Sequence, residues 1–209
     1  MLLHYSYEEV KVMIFLGLTS TMKNTLKPNH TPAIDEQLLF RIAEGDTGAL
    51  SALYAETSSA VYGFALSILK DAHSAEDVMQ DTYLKIYTAA GSYAAKGKPM
   101  AWILTIVKNL SLMKLRQNRK LPDVPLDESW DISDPKDRFA ESQDKILLQA
   151  VLKALTEEER QIVTLYAVSG LKHREIASLL DLPLPTVLSK YRRALNKMRR
   201  FMGDEFNEK

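Results

Sequence analysis

Apolar side chains recur at three- and four-residue spacing along most of the chain from Asp35 onward. This period is typical of amphipathic helices that bury one stripe of side chains. The first series runs from Leu38 to Leu69, and Gly45 and Gly48 are expected to break its first helix. The N-terminal part of the chain therefore predicts packed helices.

Two further helices are predicted after this series. Ser74 followed by Asp77 has the form of a capping box, which places a helix start at this point. A loop over residues 91–99 then precedes a long helix with apolar positions from Trp102 to Leu115. No segment alternates apolar and polar residues as a strand would, so we expect an all-α fold.

The C-terminal part carries the pattern of a helix-turn-helix. Thr156 with Glu159 forms a second capping box. A short helix is predicted over residues 174–180 and a tight turn over residues 181–184, with Pro185 as the first residue of a helix that runs to about Phe201. These lengths match a helix-turn-helix whose second helix can enter a DNA major groove.

Proline and acidic residues mark a boundary between these two parts. Residues 121–142 contain Pro122, Pro125 and Pro135 and have no stable period. We therefore expect two small helical domains, at residues 34–119 and 144–203, joined by a flexible acidic linker at residues 120–143. Residues 1–33 and 204–209 are expected to be tails, with Met22 as an alternative start.

Charge is balanced over the chain but segregated along it. The 27 Lys and Arg equal the 27 Asp and Glu. Residues 94–120 carry seven basic and no acidic residues, residues 121–144 are strongly acidic, and residues 172–200 are basic again. A single basic block is usually a solvated helix face, but two such blocks favour a polyanionic partner.

Composition excludes several classes of protein. Without cysteine there is no disulfide scaffold, thiol nucleophile or Cys-ligated zinc site, and the presence of only four His residues argues against metal chemistry as the function. The carboxylates and His73 between Asp71 and Asp81 lack the Glu-x-x-His repeats of helical metal sites. The longest apolar run, residues 10–18, is too short to span a membrane and lacks a cationic segment before it. We expect a cytoplasmic protein with no membrane contact of its own.

Three segments together resemble bacterial sigma factors of the extracytoplasmic-function (ECF) group, within the sigma-70 superfamily. Residues 75–87 (AEDVMQDTYLKIY) are similar to the helix with which such factors bind RNA polymerase. Residues 99–110 (PMAWILTIVKNL) are similar to their promoter −10 helix. Residues 155–160, 175–177 and 185–190 resemble the domain that reads the −35 element. The resemblance covers residues 35–202 and implies a region 2 domain followed by a region 4 domain.

The resemblance implies that the first of these helices binds the clamp helices of core RNA polymerase. Asp77, Gln80, Asp81 and Lys85 share one helix face, because residues three and four apart are neighbours on a helix. The predicted polymerase-binding residues are Asp77, Gln80, Asp81, Tyr83, Leu84, Lys85 and Tyr87.

In the family, the loop before the −10 helix captures a base flipped out of the DNA, and the helix holds the opened strand. Aromatic, Lys and Arg side chains suit single-stranded DNA, although Trp102 is more often a core residue than a stacking platform. The predicted −10 residues are Ser92, Tyr93, Lys96, Lys98, Trp102, Lys108, Asn109 and Arg116.

The last helix is expected to contact the −35 element, or, alternatively, to be a basic helix that closes a three-helix bundle. The predicted −35 residues are Arg174, Pro185, Thr186, Ser189, Lys190, Arg192, Arg193 and Lys197. The sequence departs from the family pattern of Gly-Thr-Val followed by Lys or Arg, because it has Pro185-Thr186-Val187-Leu188.

The leading hypothesis is thus a sigma factor that binds core polymerase, including its flap, recognises both promoter elements and promotes DNA opening. It implies promoter DNA and an anti-sigma protein as partners, no cofactor, no metal and no enzymatic activity. The acidic linker is either a contact with the cationic polymerase channel or a charged spacer. A LuxR-type helix-turn-helix regulator is the alternative, and a metal-dependent helical hydrolase is a third class.

Overall fold

The computed structural model describes residues 34–95, 97–118 and 154–206. These residues form seven α-helices and a 3₁₀ turn at Ala90–Ser92 and contain no strand, which confirms the all-α prediction. The α-helices are α1 (Gln37–Ala43), α2 (Thr47–Leu69), α3 (Ala72–Ala89), α4 (Pro99–Asn118), α5 (Glu157–Ala167), α6 (His173–Leu180) and α7 (Leu184–Phe206). The expected linker and the tail at residues 1–33 lie outside the described residues.

Helix α2 is the centre of the N-terminal bundle. From Ala60 to Leu69 every residue is buried, because α1, α3 and α4 pack around it together with α5 from the C-terminal group. Asp46 caps its start, where the carboxylate accepts a hydrogen bond from the backbone N–H of Ala49 (3.0 Å). Gly45 lies in the break before α2 with φ of 90°, whereas Gly48, also expected in the break, is inside the first turn of α2.

Helix α3 begins earlier than the sequence pattern predicted. The N-cap is Asp71, whose carboxylate accepts a hydrogen bond from the backbone N–H of Ser74 (2.7 Å). The prediction that Ser74 and Asp77 open the helix is therefore wrong, because Asp71, which is as good a capping residue as Ser74, starts the helix three positions upstream. The shift places residues 75–87 wholly within regular helix.

The C-terminal helices form the predicted helix-turn-helix. Both hydrogen bonds of the Thr156–Glu159 capping box are present. Asp181, in the left-handed conformation with φ of 56°, ends α6 and starts the turn into α7. Helix α7 begins at Leu184, one residue before the predicted start, and continues to Phe206, into the segment expected to be a tail.

The two groups of helices contact each other. Helix α5 packs against α2, and α6 approaches α4. Lys70 at the end of α2 lies 3.6 Å from the carboxylate of Glu157 at the start of α5. These contacts join the group of helices that contains α3 and α4 to the group that contains α7.

Candidate protein and nucleic-acid interfaces

Helix α3 presents a mixed polar and apolar face to solvent. Leu84 is 67% exposed and Tyr87 is 43% exposed, although both are large apolar side chains. Gln80, Asp81 and Lys85 are exposed beside them, at three- to five-residue spacing on the same helix. Exposed apolar groups rimmed by polar ones are characteristic of a protein-binding surface. We call these five residues the α3 face.

Two residues predicted for this face have other positions. Tyr83 is buried in the core, where its hydroxyl lies 2.7 Å from Thr57 Oγ1, so it cannot touch a partner directly. Burial raises the pKa of Tyr83 far above its ordinary value. Asp77 is half-buried and accepts a hydrogen bond from Lys114 Nζ on α4 (2.9 Å). That hydrogen bond lowers the pKa of Asp77, and it ties α3 to α4.

The loop before α4 is anchored by a residue that the sequence analysis missed. Glu36 accepts hydrogen bonds from the Tyr93 hydroxyl and from the backbone N–H of Gly97, the latter at 2.9 Å. Tyr93 is buried, with its ring 5.2 Å from that of Trp102 in an edge-on contact. The ring and the hydroxyl of Tyr93 are both engaged within the protein, so contact between Tyr93 and DNA requires that this loop change its conformation.

Exposed groups on the loop and on α4 form the remainder of the predicted −10 surface. Ser92, Lys98, Asn109 and Arg116 are exposed. Trp102 is half-buried, which matches neither a fully buried core residue nor a fully exposed stacking platform. Lys96 lies outside the described residues.

Lys108 joins the two groups of helices. Its ammonium donates hydrogen bonds to the carbonyl oxygen of Leu179 (2.7 Å) and to the carboxylate of Asp181 (2.6 Å). Lys98 lies 3.8 Å from the carboxylate of Glu175 on α6. Contact between Lys108 and DNA therefore requires that both of its hydrogen bonds break.

The outer face of α7 is polar and basic, whereas its inner face is apolar. Val187, Tyr191, Ala194 and Met198 are buried against α5 and α6. The exposed residues of α7 with a described side chain are Pro185, Leu188, Ser189, Arg192, Arg193, Asn196 and Arg200. Arg174 is exposed on α6. A helix with this division can pack on its own domain and present Arg and Ser to a groove of DNA.

Two lysines predicted to bind the −35 element are paired within the protein. Lys190 contacts the carboxylate of Glu158, and Lys197 donates a hydrogen bond to Glu159 (2.7 Å). Thr186 is half-buried in the first turn of α7, and its carbonyl accepts a hydrogen bond from the Ser189 hydroxyl (2.9 Å). These three residues are therefore less available to DNA than the arginines.

Glu159 has a double structural role. Burial opposes its ionisation, but hydrogen bonds from Lys197 and from the backbone of Thr156 outweigh burial and lower the pKa of Glu159. The same carboxylate completes the capping box of α5 (2.9 Å to the Thr156 N–H). It therefore fixes α7 against the start of α5.

Comparison with known families identifies the two groups of helices. Residues 53–121 match Sigma-70 region 2, and residues 145–198 match Sigma-70, region 4. Together the matches cover more than half of the chain. The chain belongs to the sigma-70 family. Members of this family are transcription initiation factors rather than enzymes, and the relatives below place this chain in the ECF group.

Relatives of the chain include ECF sigma factors of mycobacteria. The chain is 28% identical over 172 residues to the ECF RNA polymerase sigma factor SigK of Mycobacterium sp. (strain KMS), a match that spans 79% of this chain and 89% of the relative. It is 29% identical over 170 residues to SigK of Mycobacterium ulcerans (strain Agy99), over 78% of this chain and 90% of the relative.

Solved structures share the fold. The sigma factor RpoE, in complex with the anti-sigma factor NepR from Bartonella quintana, has a TM-score of 0.60 at 21% identity, over 73% of this chain and 95% of that chain. CnrH, in complex with the cytosolic domain of CnrY, has a TM-score of 0.55 at 20% identity, over 81% and 97%.

The comparisons also bear on the alternatives. A LuxR-type regulator is not supported, because the N-terminal half matches region 2 and its described residues contain no strand. Within the described ranges, no three His, Cys, Asp or Glu side chains come together as a metal site. No helix in those ranges has both the length and the apolar character to cross a bilayer.

Proposed function

We propose that this sigma factor binds core RNA polymerase through the α3 face, contacts the −10 element with α4 and the loop before it, and contacts the −35 element with α7. The division of exposed chemistry among three helices carries the proposal. The α3 face combines Leu84, at 67% the most exposed of the large apolar side chains described, with Tyr87 and Asp81, whereas α4 and α7 set their exposed Met113 and Leu188 among cations and amides. A protein partner suits the first surface and a nucleic acid suits the other two.

Docking of the α3 face would combine two effects. Burial of Leu84 and Tyr87 supplies affinity, since apolar surface removed from water stabilises a complex. Asp81 and Lys85 supply orientation, because charges at the rim of an interface select complementary partners more than they add affinity. Clamp helices of the polymerase with a basic edge would match Asp81.

Opening of the −10 region would be driven by binding. Unstacking duplex DNA costs ~1.4 kcal/mol per step, which contacts with the separated strand must offset. Lys98 and Arg116 can neutralise phosphates, and Asn109 can donate to and accept from a base edge. Lys108 can join them once it leaves Asp181, so strand capture and separation of α4 from α6 would occur together.

Recognition of the −35 element would fall to the outer face of α7. Arg192 and Arg193 are exposed and can each make two hydrogen bonds to a guanine or bind phosphate. Ser189 can contact either a base or the backbone. Lys190 and Lys197 would act chiefly by holding α7 to α5.

The place of action and the regulation follow from this function. The protein would act in the cytoplasm, where polymerase and chromosome are, and would need no cofactor, metal or catalytic residue. An anti-sigma protein is a further proposed partner, since the similar RpoE structure is a complex with the anti-sigma factor NepR. Such a partner would cover the surfaces that polymerase and promoter use.

The experiment separates the surfaces with two charge variants. Asp81→Arg should weaken binding to core polymerase while leaving the thermal unfolding temperature unchanged, because Asp81 is exposed. Arg193→Ala should reduce transcription that depends on the −35 element while core binding stays at the wild-type level. Each variant is the control for the other. Normal holoenzyme formation by Asp81→Arg, or normal −35-dependent transcription by Arg193→Ala, would contradict the assignment of that surface.

A further inference from the structure

Leu188 stands out on the outer face of α7. It is 46% exposed, while the buried stripe of the helix is formed by Val187, Tyr191, Ala194 and Met198. Six large apolar side chains are exposed among those whose burial the structure describes, a set that ends at residue 200 on α7, and Leu188 is the one of the six that lies on α7. Its position is thus not required by the core of the domain.

The neighbours of Leu188 indicate what the side chain meets. Pro185 lies three positions before it and Arg192 four positions after it, which puts both beside it on the helix surface. Ser189 follows directly, and Arg192 and Arg193 are exposed. A surface with this positive charge fits a polyanion rather than an apolar protein partner.

The chemistry of the major groove limits what an apolar side chain can recognise there. Donor and acceptor groups line the edges of all four base pairs, and the C5 methyl of thymine is the apolar group among them. Leucine has no donor or acceptor and cannot hold a phosphate. In the first turns of a helix that enters the groove, its favourable contact is therefore with a thymine methyl.

We propose that Leu188 is a specificity-determining residue, which contacts the methyl group of a thymine in the −35 element and selects thymine at that position. The proposal rests on the proposed function, since it requires α7 to lie in the major groove of the −35 element. Leu188 would thus make an apolar contact at the position where the sigma-factor pattern has Lys or Arg after Gly-Thr-Val.

The test removes one methyl group at a time. Holoenzyme made from wild-type protein and core polymerase first selects its −35 sequence from a randomised promoter library. Each thymine of the selected element is then replaced by deoxyuridine, which keeps every hydrogen-bonding group and loses the methyl. Promoter affinity is measured for wild type, Leu188→Ala and the control Leu112→Ala, which removes an exposed leucine from α4.

Promoter affinity is expected to fall when one particular thymine is replaced by deoxyuridine, and at no other thymine. Burial of a methyl-sized group contributes about 0.8 kcal/mol, so wild type and Leu112→Ala should bind the deoxyuridine promoter about fourfold more weakly at that position. Leu188→Ala should bind both promoters alike. Leu188→Arg should shift the preferred base at that position from thymine to guanine, because arginine pairs with guanine.

The outcomes separate this inference from the proposed function. A selected −35 element without thymine, or one insensitive to deoxyuridine at every position, would overturn the role of Leu188 while leaving −35 recognition in place. Equal sensitivity of wild type and Leu188→Ala would do the same. Failure to select any −35 sequence would instead overturn the proposed function, and this inference with it.

Discussion

Truncation of Leu84 to alanine is expected to weaken binding to core polymerase by about five- to thirtyfold. Full burial of a leucine side chain contributes about 1.5–3 kcal/mol. Leu84 is 67% exposed in the free protein, so about two-thirds of that free energy, roughly 1–2 kcal/mol, remains to be gained when a partner covers it. Each 1.4 kcal/mol changes a dissociation constant about tenfold, which gives the expected range.

The assay is equilibrium binding of labelled protein to purified core polymerase. Leu188→Ala is the matched control, because it makes the same substitution at an exposed leucine of the other domain and should keep wild-type affinity. Thermal unfolding of both variants should stay close to wild type, since neither side chain is in the core. The reasoning would be refuted by a Leu84→Ala dissociation constant within twofold of wild type, or by an equal loss in Leu188→Ala.

Two further predictions concern the stability of the domains. Glu159→Gln should lower the free energy of unfolding by about 1–3 kcal/mol at neutral pH, because Lys197 loses its charged partner. Since the pKa of Glu159 is lowered in the folded protein, this stabilisation is complete above the ordinary value of 4.5 and is lost as the pH falls through the lower folded pKa. Urea denaturation should therefore show the stabilities of the two proteins converging in acid, and equal stability at neutral pH would count against the ion pair. Tyr83→Phe should cost about 1 kcal/mol, because the Thr57 hydroxyl loses one hydrogen bond but still donates to a backbone carbonyl of α2 (2.6 Å); a variant as stable as wild type would show that the Tyr83 hydroxyl contributes nothing.

Local signals in the sequence predicted the helices well, and failed where two signals competed. The capping box of Thr156 and Glu159 was found as predicted, since both of its hydrogen bonds lie within four residues. The start of α3 was misplaced because Asp71 and Ser74 are equally good capping residues, and in the structure Asp71 accepts the hydrogen bond that caps the helix. The sequence pattern alone does not show which of two neighbouring capping residues starts the helix.

Contacts between distant residues decided the parts of the site that the sequence did not predict. Glu36 binds Gly97 across 61 positions, and Lys108 binds Asp181 across 73. Such pairs depend on how helices pack, so Tyr93 and Lys108 could be recognised from sequence as aromatic and basic but not as engaged. The exposure of Leu188 likewise follows from the packing of α7 and not from its hydropathy.

The most direct test of the central claim is reconstitution with bacterial core RNA polymerase. The purified protein and core enzyme are mixed, tested for co-elution in gel filtration, and supplied with genomic fragments for transcription. The account predicts a stable complex that produces transcripts from discrete start sites preceded by shared −35 and −10 sequences. Failure to bind core polymerase while the protein alone retains sequence-specific DNA binding would contradict the sigma-factor function and remove the assigned role of the α3 face.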